Sequence, residues 1–219
     1  MLYTHAEKSA LGPVWSRQGN QIAFALGRFF QNQLGPAAAD IATINVDGGG
    51  FELLTDGKSN CGFPSWSGDG RYIVYREASA GRNALHVFDS RTRTSHLLIG
   101  GNAHYKFPGW SPTEDLIVFT SNQDGDYELY SIRSNGSNLK RLTHSPGNEG
   151  HSGWSPDGKW IAFSSARGGF KDENLLVQAN PQSYGEIFVM RADGSEQHAL
   201  TDDPYEEATP ALRIVPRPN

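Results

Sequence analysis

Gly153-Trp154-Ser155-Pro156-Asp157-Gly158-Lys159-Trp160-Ile161-Ala162-Phe163-Ser164-Ser165 decides the fold of this chain. Trp-Ser closes a short apolar step. Pro156-Asp157-Gly158 is a tight turn, in which Pro presets φ, Asp bonds nearby backbone and Gly accepts a positive φ. Trp160 to Phe163 is then a short strand of β-forming residues. The phrase recurs three times upstream, as Val14-Trp15-Ser16 to Phe24, Ser65-Trp66-Ser67 to Tyr75 and Gly109-Trp110-Ser111 to Phe119. The leading Trp residues stand at 15, 66, 110 and 154, giving spacings of 51, 44 and 44. A period of roughly 40 to 50 residues, all strands and turns, is the signature of a propeller blade.

A second phrase repeats between the copies. Asp40-Ile41-Ala42-Thr43-Ile44-Asn45-Val46-Asp47-Gly48 matches Glu128-Leu129 to Gly136 and Glu186-Ile187 to Gly194. Each closes on Leu-Thr, at 54–55, 142–143 and 200–201. The second unit diverges, with Leu85-His86-Val87-Phe88-Asp89 followed by Leu97-Leu98. Each unit therefore reads as four strands joined by hairpins, and Asn-Gly or Asp-Gly suits the turn between the last two.

Trp-Ser-Pro-Asp-Gly-Lys-x-Ile-Ala-Phe, then Glu-Ile-Phe-Val-Met-x-Ala-Asp-Gly-Ser, then Leu-Thr, resembles the TolB-like (WD40-like) β-propeller repeat family, over about residues 12 to 212. The resemblance implies an all-β propeller of four full four-stranded blades, at about 12–56, 57–101, 102–145 and 146–203, with partial blade segments at 1–11 and 205–219. The whole chain is expected to form one propeller domain. Four blades and two stubs read as a fragment of a six- or seven-bladed ring, with closure of four blades alone as the alternative. Propellers of this type serve as interaction platforms, as accessory domains of peptidases and as polysaccharide lyases, so fold alone does not assign function.

Composition bounds the answer. A 219-residue chain with 25 Gly and 12 Pro suits one turn-rich β domain. Apolar runs are too short to span a membrane, and the first residues lack the basic-then-apolar layout of a signal peptide. Cys61 is the only cysteine, so no internal disulfide forms. A formal charge of -5 argues against a nucleic-acid partner.

Counting back from each Trp gives the positions expected at the channel mouth, where several blades contribute side chains. They include Asn60, Cys61, His104, Tyr105, Lys106, Asn148, Glu149, His151, Glu206 and Glu207, joined from the second-to-third-strand connections by Arg28, Arg76, Arg167, Lys171 and Asp172. His104 and His151 are the candidate bases, set six and three residues before their Trp. The plain alternative is that each hydrogen-bonds a loop or faces solvent. No metal site is expected and no cofactor. A divalent cation at the mouth is the weaker alternative, with Asn148 or Glu149 as third ligand. The long, charged segment from Ala166 to Gly185 reads as a binding loop or a tolerated insertion, with Arg167 and Lys171 able to hold a carboxylate. Asp124-Gly125-Asp126 reads as a turn rather than a calcium loop, since the later ligands are missing. The Trp residues read as packing between blades. The Ser after each Trp reads as a structural hydrogen bond, because it repeats.

The expected function is a non-catalytic binding or scaffolding propeller that engages a protein or glycan at the loop-rich face, with Asn60, Arg76, Asn148, Glu149, Arg167 and Lys171 as contacts. The alternative, implied by the resemblance, is a polysaccharide lyase. There His104 or His151 takes the proton α to a uronate carboxylate, Tyr105 assists, and Arg167 or Lys171 neutralises the carboxylate.

Overall fold

In a computed structural model, residues 8–27, 38–79, 82–168, 185–202 and 209–213 are described. They form sixteen strands. The chain divides into two compact units, Met1–Trp110 and Ser111–Asn219.

The first unit holds repeat one as β1 (Ser9–Trp15), β2 (Gln21–Gly27), β3 (Ala39–Asn45) and β4 (Glu52–Leu53). Repeat two follows as β5 (Asn60–Trp66), β6 (Tyr72–Ser79), β7 (Arg82–Asp89) and β8 (Thr94–Ile99), and the unit ends with β9 (Tyr105–Trp110). Each repeat is an antiparallel meander, β1-β2-β3-β4 and β5-β6-β7-β8, and one parallel bridge, Ala39 to Asn60, links them. The second unit holds β10 (Ile117–Ser121), β11 (Glu128–Ile132) and β12 (Lys140–Arg141), then β13 (Glu149–Trp154), β14 (Trp160–Ser165), β15 (Glu186–Arg191) and β16 (His198–Ala199), again paired antiparallel in sequence order. No helix among the described residues is long and apolar enough to cross a membrane.

The second strand of each repeat is a continuous apolar run because both of its faces are covered. In β2, Ala23 joins a core with Ile41, Cys61, Trp66, Ile73, Tyr75 and Phe88, while Ile22, Phe24 and Leu26 pack on the other face with Ala42 and Ile44. In the second unit Val118, Leu129 and Leu142 meet Ile161, Phe163 and Met190. Repeat packs on repeat, so the core lies between blades.

The Ser of Trp-Ser ties the turn shut. Ser67 Oγ accepts from Tyr72 N at 2.9 Å and donates to Asp69 Oδ1 at 2.6 Å. Ser155 does the same with Trp160 N at 2.9 Å and Asp157 Oδ1 at 2.6 Å. Those bonds hold the Asp69 and Asp157 carboxyls below the usual carboxylate range. The Leu-Thr phrase has a matching role. The Thr55 and Thr201 hydroxyls accept from Ile41 N at 3.1 Å and Ile187 N at 2.9 Å, and donate to Asp40 at 2.7 Å and Glu186 at 2.8 Å. The repeating acid and the repeating Thr are thus one hydrogen-bonded clasp between the third and fourth strands. Repeat two, with Ala84 in the acid's place, lacks it.

The Trp residues are not equivalent, which corrects their reading as packing throughout. Trp66 and Trp110 are buried, and the Trp66 indole donates to Val14 O of repeat one at 3.3 Å. Trp110 stacks on Tyr72 with ring centroids 5.8 Å apart. Each leans on the repeat before it. Trp15, with no described blade ahead of it, is 62% exposed.

Two substitutions check this packing. Trp66→Ala is expected to lower unfolding free energy by about 3–5 kcal/mol, and Trp15→Ala by about 0.5 kcal/mol or less, in chemical denaturation. Gly158 has φ +70, and a Cβ there would sit 2.1 Å from Thr113 Oγ1 of the neighbouring turn. Gly158→Ala is expected to cost about 1–3 kcal/mol in the same assay.

Candidate functional site

The feature that aims the candidate residues is a bulge in the first strand of repeats one, two and four. Leu11 pairs with Ala25 and Val14 with Ala23; Gly62 with Arg76 and Ser65 with Val74; Gly150 with Ser164 and Gly153 with Ala162. One extra residue is inserted each time, which reverses the faces of all residues before it. The residue three before the Trp takes positive φ: Gly12 at 59°, Phe63 at 55°, Phe107 at 50° and His151 at 50°. Thr209, three before Leu212, has φ 51°, the same backbone geometry although Leu replaces Trp. Proline follows in four of these five positions, where its missing N–H is no loss.

In the first unit the bulges bring a charged corner together. Arg76, on β6 opposite Gly62, is 8% exposed, and its guanidinium lies over the Phe63 ring at 5.2 Å. Phe63 meets Phe107 edge to face at 4.8 Å. Burial and the neighbouring Arg76 push the Lys106 ammonium below its usual range, and burial lowers Arg76 to about 10. His104 approaches Asn83, with 3.2 Å between Nδ1 and Nδ2, and burial together with Lys106 holds its imidazole below the ordinary value. Arg76 remains charged at neutral pH, and His104 is neutral there. Asn60 opens β5 at the same end, half-buried. Tyr105 is buried. Cys61 is buried too, and its thiol is pushed up to about 12 by burial and by Glu77, so it holds no nucleophilic thiolate.

In the second unit the candidates join a different cluster. Glu149, fully buried on β13, accepts from Ser165 Oγ at 3.0 Å and from Ser145, and lies 3.4 Å from Arg167 Nη2. Arg167 also reaches Ser165 at 2.8 Å and Gln197 at 3.2 Å, with its guanidinium 4.2 Å over the Phe188 ring. Asn148 Oδ1 accepts from Tyr127 N at 3.2 Å, and Glu149 N donates to Tyr127 O at 2.7 Å. His151 occupies the bulge position held by Gly12, Phe63 and Phe107.

Asn60, Arg76, His104 and Tyr105 therefore share one corner, and Asn148, Glu149, His151 and Arg167 another, in separate units. Lys171, like Arg28, Asp172, Glu206 and Glu207, lies outside the described residues. Among the described residues no group of three or more His, Cys, Asp or Glu is placed to hold a metal ion. The Phe63–Phe107 pair was not singled out from sequence. Its signal was present as Phe-Pro three residues before the Trp in two successive repeats.

Against known proteins, the family model described as TolB beta propeller domain matches residues 31–172. No curated protein matches the chain. Among solved structures, a putative TolB from Agrobacterium tumefaciens is 19% identical with TM-score 0.68, over 96% of this chain and 87% of that one. An oligogalacturonate lyase in complex with manganese is 13% identical with TM-score 0.63, over 89% of this chain and 54% of that one. A chain of a nidogen/laminin complex is 10% identical with TM-score 0.67, over 95% and 69%. At these identities the likeness is one of fold.

Glu149 gives a measurable signature. Burial raises its carboxyl above the ordinary 4.5, against the opposing pull of Ser145, Arg167 and Ser165. The folded chain thus keeps this proton to higher pH than the unfolded chain. The stability it lends is full below 4.5 and is lost as pH rises through the raised value. Thermal melts across that window are expected to show Glu149→Gln gaining on the parent as pH rises. A constant difference between the two contradicts the assignment.

Proposed function

The chain belongs to the TolB β-propeller family, and from that premise we propose that it is a non-catalytic binding domain engaging a protein or glycan through the bulge-bearing ends of its first strands. The observation that carries this reading is where the reactive groups are held. The repeated Ser and Asp close turns, and the repeated acid and Thr clasp strands. Glu149 and Arg167 neutralise each other inside the second unit. His151 stands where the other repeats carry Gly or Phe, so the backbone there asks for a positive φ and not for an imidazole.

The groups at the corner of the first unit are cations, an amide and aromatic rings, which recognise rather than react. The similarity in fold to a chain of a nidogen/laminin complex supports a protein as the ligand. The competing reading is a lyase. It would need one of the two histidines as base, with a cation on the uronate carboxylate.

Absorbance of unsaturated uronate separates the two. Incubation with glucuronate- and galacturonate-containing glycans is expected to give no rise. His151→Gly is expected to keep the fold, as Gly12 does at the same position, and to leave binding unchanged. An absorbance rise that disappears in His104→Ala or His151→Gly overturns the binding reading.

A further inference from the structure

We propose that Asn135 is a self-modification site: water converts its side-chain amide to a carboxylate with release of ammonia, through attack by the Gly136 amide nitrogen on a carbonyl that Ser137 activates. The inference stands apart from the binding reading, since the hairpin tip between β11 and β12 carries none of the residues that reading uses. Asn135 is the one asparagine of this sequence that glycine follows. Gly136 brings no Cβ to crowd the approach of its nitrogen to Asn135 Cγ. Both residues are exposed, as is the chain from there to Lys140. The tip is lightly tied, because β12 holds only Lys140–Arg141.

The side-chain carbonyl is already polarised. Asn135 Oδ1 accepts from Ser137 N at 3.0 Å and from Ser137 Oγ at 2.7 Å. When the nitrogen adds to Cγ, negative charge gathers on that oxygen, and the same donors hold it more tightly than they hold the neutral carbonyl. Gly136 N donates to Arg133 O at 2.9 Å, so the attack waits on a brief opening of that bond and on loss of the N–H proton to solvent hydroxide. The bond from the Gly136 nitrogen to Cγ forms, the bond from Cγ to Nδ2 breaks, and Nδ2 leaves as ammonia. Water then opens the cyclic imide. Opening at Cγ restores the peptide with aspartate at 135. Opening at the main-chain carbonyl leaves isoaspartate, whose backbone runs one carbon longer.

The other repeats show which product the turn accepts. The equivalent position is Asp193 in repeat four and Asp47 in repeat one. Asp193 Oδ1 accepts from Ser195 N at 2.9 Å and Ser195 Oγ at 2.6 Å. Asp47 Oδ1 accepts from Gly49 N at 2.8 Å. The backbone is alike in all three: Gly136, Gly194 and Gly48 have φ of 82°, 87° and 88°, and each donates to the carbonyl three residues back at 2.9 Å. Aspartate therefore fits at 135 with its hydrogen bonds kept, and adds one negative charge to a chain at -5. The longer isoaspartate backbone breaks the paired bonds from Gly136 N to Arg133 O and from Arg133 N to Ser137 O.

Peptide mapping by mass spectrometry, on the full folded chain held in mildly alkaline buffer, tests this. Asn135 is expected to convert at least about tenfold faster than exposed Asn20, Asn102 and Asn138, whose next residues carry side chains. Ser137→Ala is expected to slow conversion about fivefold, the worth of one hydrogen bond to the developing oxyanion. The ratio of aspartate to isoaspartate is expected to be higher than in the same chain unfolded by urea. Asn135→Asp is expected to melt with the parent. Conversion at Asn135 no faster than at those three asparagines, a rate indifferent to Ser137→Ala, a product ratio unchanged by unfolding, or an Asn135→Asp variant that melts below the parent overturns the proposal.

Discussion

The candidate sites depend on one backbone turn at positive φ, three residues before each Trp, with an inserted residue in repeats one, two and four. The bulge three positions before the Trp reverses the pleat, so the residues behind it face the opposite way from those ahead. Holding Phe63, Phe107 and His151 at positive φ costs about 1–3 kcal/mol at each. The positive φ recurs in every repeat, so it belongs to the blade and not to a reaction. Its offset is the strand pairing on either side.

That constraint explains how two similar strand starts give different chemistry. In repeat three the equivalent residues are His104, Lys106 and Phe107, and Phe107 meets Phe63, whose ring Arg76 of repeat two covers. In repeat four the equivalent positions carry Asn148, Glu149 and His151, and Glu149 turns inward to Ser165 and Arg167. One blade start sets its aromatic ring beside the Arg76 guanidinium corner; the other pairs its charge inside its own packing. A buried pair of that kind holds the long connection's first residues against the sheet, which is a structural use of Arg167.

Much of the fold was legible because its signal is local and repeated. The Ser-Asp-Gly turn, in repeats two and four, needs three residue types at fixed spacing, and the acid–Thr pair, in repeats one, three and four, needs two, so the recurrence was enough to read strands and hairpins. The partners of individual side chains were not legible. Glu149 and Arg167 are 18 residues apart in sequence, and only the register of β13 on β14 brings them together. Trp15 was also misread by analogy. The motif is the same as at Trp66, but burial depends on the neighbouring blade and not on the motif. The Phe63–Phe107 contact needed the bulge geometry, which no propensity scale encodes.

The central claim is that the Glu149–Arg167 cluster beside the bulge is scaffold. A double-mutant cycle on Glu149 and Arg167, read by chemical denaturation, tests it most directly. The account predicts that Arg167→Gln destabilises the parent more than it destabilises Glu149→Gln, so that the two changes are not additive. Additive losses, or an Arg167→Gln variant as stable as the parent, would contradict it.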